Sequence, residues 1–167
     1  MRPLDTVEDL WRIRGAQWRR RGGGVAELLG THRYQLDPKG RVSLPSRFRE
    51  AFAEGAVLTL GQDGCLFCFP RAEWEARSEE VRRLPLSDPQ GRAYARVFFG
   101  KAEAVELDGQ GRLLIPQRLR TEVGIGREVV VLGVMDRMEV WDREAYERYE
   151  QTHGGAYLAG TLRPDER

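Results

Sequence analysis

Apolar and polar positions alternate in short runs along most of this chain, and the alternation occurs twice. Tyr34–Leu36 and Arg41–Leu44 read as short strands on either side of Asp37-Pro38-Lys39-Gly40. Ala104–Leu107 and Arg112–Ile115 read the same way around Asp108-Gly109-Gln110-Gly111. Gly40 and Gly111 offer the positive φ that a tight turn needs. Pro45 and Pro116 suit first helical positions and open helices predicted over Ser46–Glu54 and Gln117–Val123, with Gly55 and Gly124 as C-terminal caps. Each copy then carries two more strands, Val57–Leu60 with Cys65–Phe69 and Val129–Leu132 with Met138–Trp141. Gly61–Gly64 and Gly133–Arg137 are the hairpin turns, and closing helices start near Arg71 and Arg143.

The two copies align residue by residue. Tyr34–Arg49 laid on Val105–Arg120 gives 7 identities in 16 positions: Leu36/Leu107, Asp37/Asp108, Gly40/Gly111, Arg41/Arg112, Pro45/Pro116, Arg47/Arg118 and Arg49/Arg120. One extra residue in the second copy then matches Gly61 with Gly133, Phe69 with Trp141 and Trp74 with Tyr146. Two copies are too few for a solenoid. Four strands and short helices are also too little to bury a stable core alone. The expected fold is therefore α+β and β-rich, a tandem repeat packed about a pseudo-twofold axis.

The halves are expected at 29–86 and 102–151, joined by a helix at 87–101. Ser87 or Asp88 can cap that helix, and Tyr94, Val97 and Phe98 form its apolar stripe. Residues 1–28 are expected to be an N-terminal extension, disordered or preceding the true start, although Arg19-Arg20-Arg21 could also serve as an arm on DNA. Residues 152–167 are expected to be a C-terminal tail, loose from Gly154 onward.

Composition adds exclusions. The 167 residues are 41% hydrophobic and 32% charged, a balance that folds rather than stays disordered. No apolar run reaches the roughly 18 residues of a membrane span, and Trp11-Arg12-Ile13-Arg14 breaks up any secretion signal. A soluble cytoplasmic protein is expected. Cys65 and Cys68 have the Cys-x-x-Cys spacing, but no second pair exists to complete a zinc site and no thioredoxin-like context surrounds them. They are expected to be buried small apolar residues on opposite faces of a strand. No Ser-His-Asp order, phosphate loop or His-rich cluster is present, so no catalytic, cofactor or metal site is expected.

Net charge is only +1, so its distribution matters more than its total. Tyr34–Arg49 sets Lys39, Arg41, Arg47 and Arg49 against Asp37 alone. Val105–Arg120 sets Arg112, Arg118 and Arg120 against Glu106 and Asp108. In each loop the Asp can bind turn amides or pair with the Arg four residues on. Alternatively, a basic side chain at the turn can reach a phosphate or a guanine edge. Duplicated basic loops suit a repetitive polymer such as DNA.

Tyr34-Gln35-Leu36-Asp37-Pro38-Lys39-Gly40-Arg41-Val42-Ser43-Leu44-Pro45, then Asp63-Gly64-Cys65-Leu66, Trp74, Leu84-Pro85-Leu86 and Phe98-Phe99-Gly100 follow a recognisable order. They continue with Leu107-Asp108, Gly111-Arg112, Leu114-Ile115-Pro116 and Trp141-Asp142. In this order and spacing, from about Leu29 to Gln151, the chain resembles the bacterial MraZ proteins of the AbrB/MazE-like superfamily. The resemblance implies a double-split β-barrel made of two fused half-barrels, with peripheral helices. It also implies assembly into a ring of subunits in the cytoplasm, associated with the nucleoid. The ring would bind direct repeats in double-stranded promoter DNA and repress the division and cell wall gene cluster, with no membrane or small-molecule substrate involved. Carried over residue by residue, DNA contact falls to Lys39, Arg41 and Arg112. Two features depart from the family pattern: Gln110 stands where the first copy has Lys39, and the N-terminal extension is long. An antitoxin-like module whose main partner is another protein is the alternative.

Overall fold

In the computed structural model, residues 27–164 are described. The extension expected over 1–28, with Arg19-Arg20-Arg21, lies outside them except for Glu27 and Leu28, and Leu28 already belongs to a strand. The strands are β1 (Leu28–Gln35), β2 (Arg41–Ser43), β3 (Ala56–Leu60), β4 (Leu66–Pro70), β5 (Glu103–Val105), β6 (Arg112–Leu114), β7 (Glu128–Met135) and β8 (Met138–Asp142). The helices are α1 (Ser46–Arg49), α2 (Arg71–Arg82), α3 (Pro89–Gly100), α4 (Gln117–Val123) and α5 (Arg143–Leu158).

The ladders are interleaved between the copies. Six strands form one sheet in the order β1-β7-β8-β4-β3-β5, and β2 pairs with β6 in a separate two-stranded ribbon. Exchanging the copies reverses the six-strand order onto itself, as a pseudo-twofold axis requires. In the ribbon, Val42 lies opposite Leu113, with Arg41 against Leu114 and Ser43 against Arg112, so the axis passes through Val42 and Leu113. In the sheet it passes through Phe67 and Glu139, the central pair of β4 and β8. The first strand of each copy completes the sheet of the other: β1 on β7, and β5 on β3. Neither copy holds its own edge, which explains in hydrogen bonds why one copy alone is too small. A β-rich α+β architecture of sheet plus ribbon is established by these ladders.

Three local features differ from the sequence expectations. Leu60 pairs with Leu66 and Gly133 with Met138, so the counterpart of Gly133 is Leu60 and not Gly61. A side chain is excluded at Gly133 because a Cβ there would lie 2.5 Å from the Leu28 carbonyl carbon, where β1 crosses. The helix expected over Ser46–Glu54 is regular only through Arg49. The Phe52 N–H is shared between the carbonyls of Phe48 (3.3 Å) and Arg49 (3.2 Å), which tightens the chain into turns before Gly55. Finally, α5 runs on to Leu158, through the segment expected to be loose from Gly154. The Tyr149 ring lies tilted against His153, with centroids 4.3 Å apart, and the Ala159 N–H closes the last turn on the Gly155 carbonyl.

The central strands are buried on both faces. Leu58, Leu66, Cys68, Val129, Val131, Met138 and Val140 point to the main core, which the ribbon, Phe48, Phe52 and Leu119 cover from the other side. Their alternate neighbours face the helices. Val130 and Trp141 pack with Cys65 and Tyr146 under α5, and Phe69 packs with Val81 and Phe98 under α2 and α3. The Asp88 carboxylate caps α3 by accepting from the Gln90 and Gly91 amides, and the Thr59 hydroxyl donates to the Phe98 carbonyl at 2.6 Å. Cys65 and Cys68 are buried, free and in different clusters, as their spacing predicts, and burial pushes both thiols up. Among the described residues no helix is long and apolar enough to cross a membrane.

Candidate nucleic-acid interface

The two Asp-x-x-Gly-Arg loops are built alike, atom for atom. In the first, Asp37 Oδ1 accepts from the backbone amides of Lys39 and Arg41, each at 2.9 Å, and Oδ2 accepts from Arg41 Nε at 2.6 Å. In the second, Asp108 Oδ1 accepts from Gln110 and Arg112 at 2.9 Å, and Oδ2 from Arg112 Nε at 2.7 Å. The Gly40 and Gly111 amides close each turn on the Asp37 and Asp108 carbonyls. Their φ values of +83° and +72° lie in the left-handed region that the sequence pattern predicts.

The ribbon brings the loops side by side. The Leu44 N–H reaches the Gly111 carbonyl at 3.2 Å, and the Ile115 N–H reaches the Gly40 carbonyl at 2.9 Å. The charged side chains then meet across the axis, with Arg41 Nη1 at 3.9 Å from Asp108 and Arg112 Nη1 at 3.7 Å from Asp37. Two carboxylates and two guanidiniums thus form one neutral four-membered cluster, each member roughly a quarter exposed.

The cluster sets the acidities. The Arg41 amide is the largest influence and holds the Asp37 carboxyl below its usual value; burial opposes it, and the Arg41 side chain and the Lys39 amide add to the lowering. The Arg112 amide, then the Gln110 amide and the Arg112 side chain, do the same for Asp108, again against burial. A carboxyl whose folded value is depressed contributes stability that is fully present above its unfolded value and is lost as pH falls through the folded one. The thermal midpoint should therefore fall more steeply below about pH 4 in the parent than in the Asp37→Asn/Asp108→Asn double variant. Parallel acid profiles of the two proteins would contradict this.

Among the three basic residues singled out from the sequence, the structure separates two situations. Arg41 and Arg112 are engaged in the cluster. Lys39 is exposed at the turn, and its ammonium has no hydrogen bond or ion pair among the described residues. Gln110 occupies the matching point of the second loop.

The other duplicated arginines divide differently. Arg47 meets His32 Nε2 at 2.9 Å, whereas Arg118 pairs with Glu103 at 2.6 Å. Arg33 pairs with Glu147 at 2.7 Å. Arg49 and Arg120 each lie over the turn glycine of the opposite copy, a crossing that their identity in the repeat does not reveal. A Cβ at Gly111 would sit 2.5 Å from Arg49 Nε, and one at Gly40 would sit 2.6 Å from Arg120 Nη2. The paired loops therefore join Lys39, Arg41, Arg49, Arg112 and Arg120 against Asp37 and Asp108, so a single basic surface replaces the two windows counted along the chain.

Comparison with known proteins agrees with this duplication. The family model for "MraZ protein", whose description also includes "antitoxin-like", matches twice, over residues 28–97 and 98–156. A protein of Pelotomaculum thermopropionicum named "Transcriptional regulator MraZ" is 42% identical over 130 residues, which is 78% of this chain and 90% of that one. The protein of the same name from Saccharopolyspora erythraea is 43% identical over 130 residues, 78% of this chain and 91% of its own. That of Paenarthrobacter aurescens is 47% identical over 122 residues, 73% and 85% of the two chains.

Proposed function

The chain belongs to the MraZ family, and on that premise we propose that it is a DNA-binding transcriptional repressor whose paired loops contact double-stranded DNA through Lys39, Arg41 and Arg112. The observation that carries this reading is the joining of both loops into one surface, rigid through its Asp–Arg cluster and basic through the residues around it. A rigid cluster leaves little ordering cost at binding. Lys39 then supplies a compact charge for phosphate. The outward guanidinium edges of Arg41 and Arg112 are suited to phosphate or guanine.

In this reading the six-stranded sheet and the ribbon are the parts of a double-split β-barrel. Residues 29–86 and 102–151 are its halves, linked through 87–101, with β1 carrying the first half back to Leu28 and α5 extending the second to Leu158. Subunits assemble into a ring that sets several loop pairs on direct repeats upstream of the division and cell wall gene cluster. Effective concentration multiplies modest single contacts. The protein works in the cytoplasm on the nucleoid and needs no cofactor or small-molecule substrate.

Lys39→Ala is expected to weaken binding uniformly across operator and unrelated duplexes. It should also reduce the slope of log affinity against log salt by about 1 per loop engaged. Fluorescence titrations over a salt series measure both effects. An unchanged slope removes Lys39 from the contact. The antitoxin-like alternative, in which another protein is the main partner, is favoured if operator DNA leaves the loop amides unperturbed in NMR spectra while a partner protein perturbs them.

A further inference from the structure

We infer that Arg120 and Arg49 are positioning residues that act across the repeat, Arg120 holding the Lys39 loop and Arg49 holding the Gln110 loop. This rests on the DNA-binding reading of the loops and adds residues that neither the loop motif nor the family match assigns.

Each clamp is a closed circuit of contacts. The Gly40 carbonyl accepts from the Ile115 amide at 2.9 Å, and the Ile115 carbonyl accepts from Arg120 Nε at 3.0 Å. The Arg120 guanidinium comes back over Gly40, where a Cβ would be 2.7 Å from Cζ. The mirror circuit runs from the Gly111 carbonyl to the Leu44 amide at 3.2 Å, from the Leu44 carbonyl to Arg49 Nε at 3.4 Å, and from the Arg49 guanidinium to Gly111. A flat guanidinium can lie against a peptide plane while its Nε donates in that plane, whereas an ammonium cannot do both.

The circuits form on helices of unequal length, four residues in α1 and seven in α4. The hydrogen bonds of the Arg49 circuit are the longer ones, so by its hydrogen bonds the exposed Lys39 sits on the more tightly held loop. Sequence proximity suggests that Arg49, ten residues downstream, supports Lys39. The fold gives that role to Arg120, which is remote in sequence.

Lysine substitutions test this because they keep the charge and remove the clamp. Arg120→Lys should lower operator affinity about tenfold, the loss of roughly one charge-assisted hydrogen bond. Arg49→Lys should lower it by less, because the loop that Arg49 holds presents Gln110 and not Lys39. Adding Arg120→Lys to Lys39→Ala should cost less than the sum of the two single losses, because both act through the same loop. Amide exchange gives a readout without DNA: the Gly40 amide should lose protection in Arg120→Lys only, and the Gly111 amide in Arg49→Lys only. Equal losses of affinity in the two lysine variants, or additive losses in the double variant, overturn the assignment, as does exchange that ignores the crossing. If the exchange pattern crosses as stated while Lys39→Ala binds DNA like the parent, the clamp stands and the DNA-binding reading of that loop fails.

Discussion

Arg41→Ala is expected to reduce affinity for operator DNA by about 10- to 100-fold, the cost of one lost base or phosphate contact of 1–3 kcal/mol, while leaving the fold intact. The side chain is only partly buried, and Asp37 keeps its two backbone donors without it. What changes is the charge of the cluster. Asp37 and Asp108 then face Arg112 alone, so a neutral group becomes net negative at the proposed DNA contact. Arg112→Ala alters the cluster charge equally, but its loop presents Gln110 and not Lys39, so its effect should be smaller. Titration of one labelled duplex at fixed salt compares them. Wild-type affinity in Arg41→Ala would remove that residue from the interface.

Phe48→Ala should cost about 3–5 kcal/mol of folding free energy, which for a chain of this size lowers the thermal midpoint by roughly 10 °C. The ring is fully buried in the main core and meets the His32 imidazole edge-on at 5.4 Å. It anchors α1, whose four residues cannot sustain a helix without tertiary contacts. It also fixes the chain between β2, next to the Asp37–Arg41 loop, and β3 in the sheet. Denaturant unfolding measures the loss, and a cost below about 1 kcal/mol would mean that the ring is not the anchor described.

Much of this was legible in the chain because it is local. The turn glycines, the Asp88 cap, the Gly124 cap with φ +70° and the opposite faces of Cys65 and Cys68 follow from residue type and spacing. Pairing between copies was not legible, since a strand pattern does not name its partner. β1 on β7 and β5 on β3 are tertiary choices. The same limit misplaced Gly133 by one position in the repeat alignment: glycine is required there by the backbone of β1, which the second hairpin alone does not reveal. The segment from Gly154 onward reads as a loose tail, but it continues α5 to Leu158 through the helix's own backbone bonds, with Tyr157 and Leu158 exposed. At the site, Lys39, Arg41 and Arg112 stood out by charge and repetition. The engagement of Arg41 and Arg112 with both carboxylates, and the crossing of Arg49 and Arg120, depend on the ribbon register and emerge only in three dimensions.

DNA binding by the paired loops is tested most directly by titrating the full chain against duplex DNA from upstream of its own coding sequence at two salt concentrations. The expected result is tight binding at low salt, measurably weaker binding at high salt, and preference over a scrambled duplex at both. Absence of binding to the upstream duplex at either concentration would contradict the account.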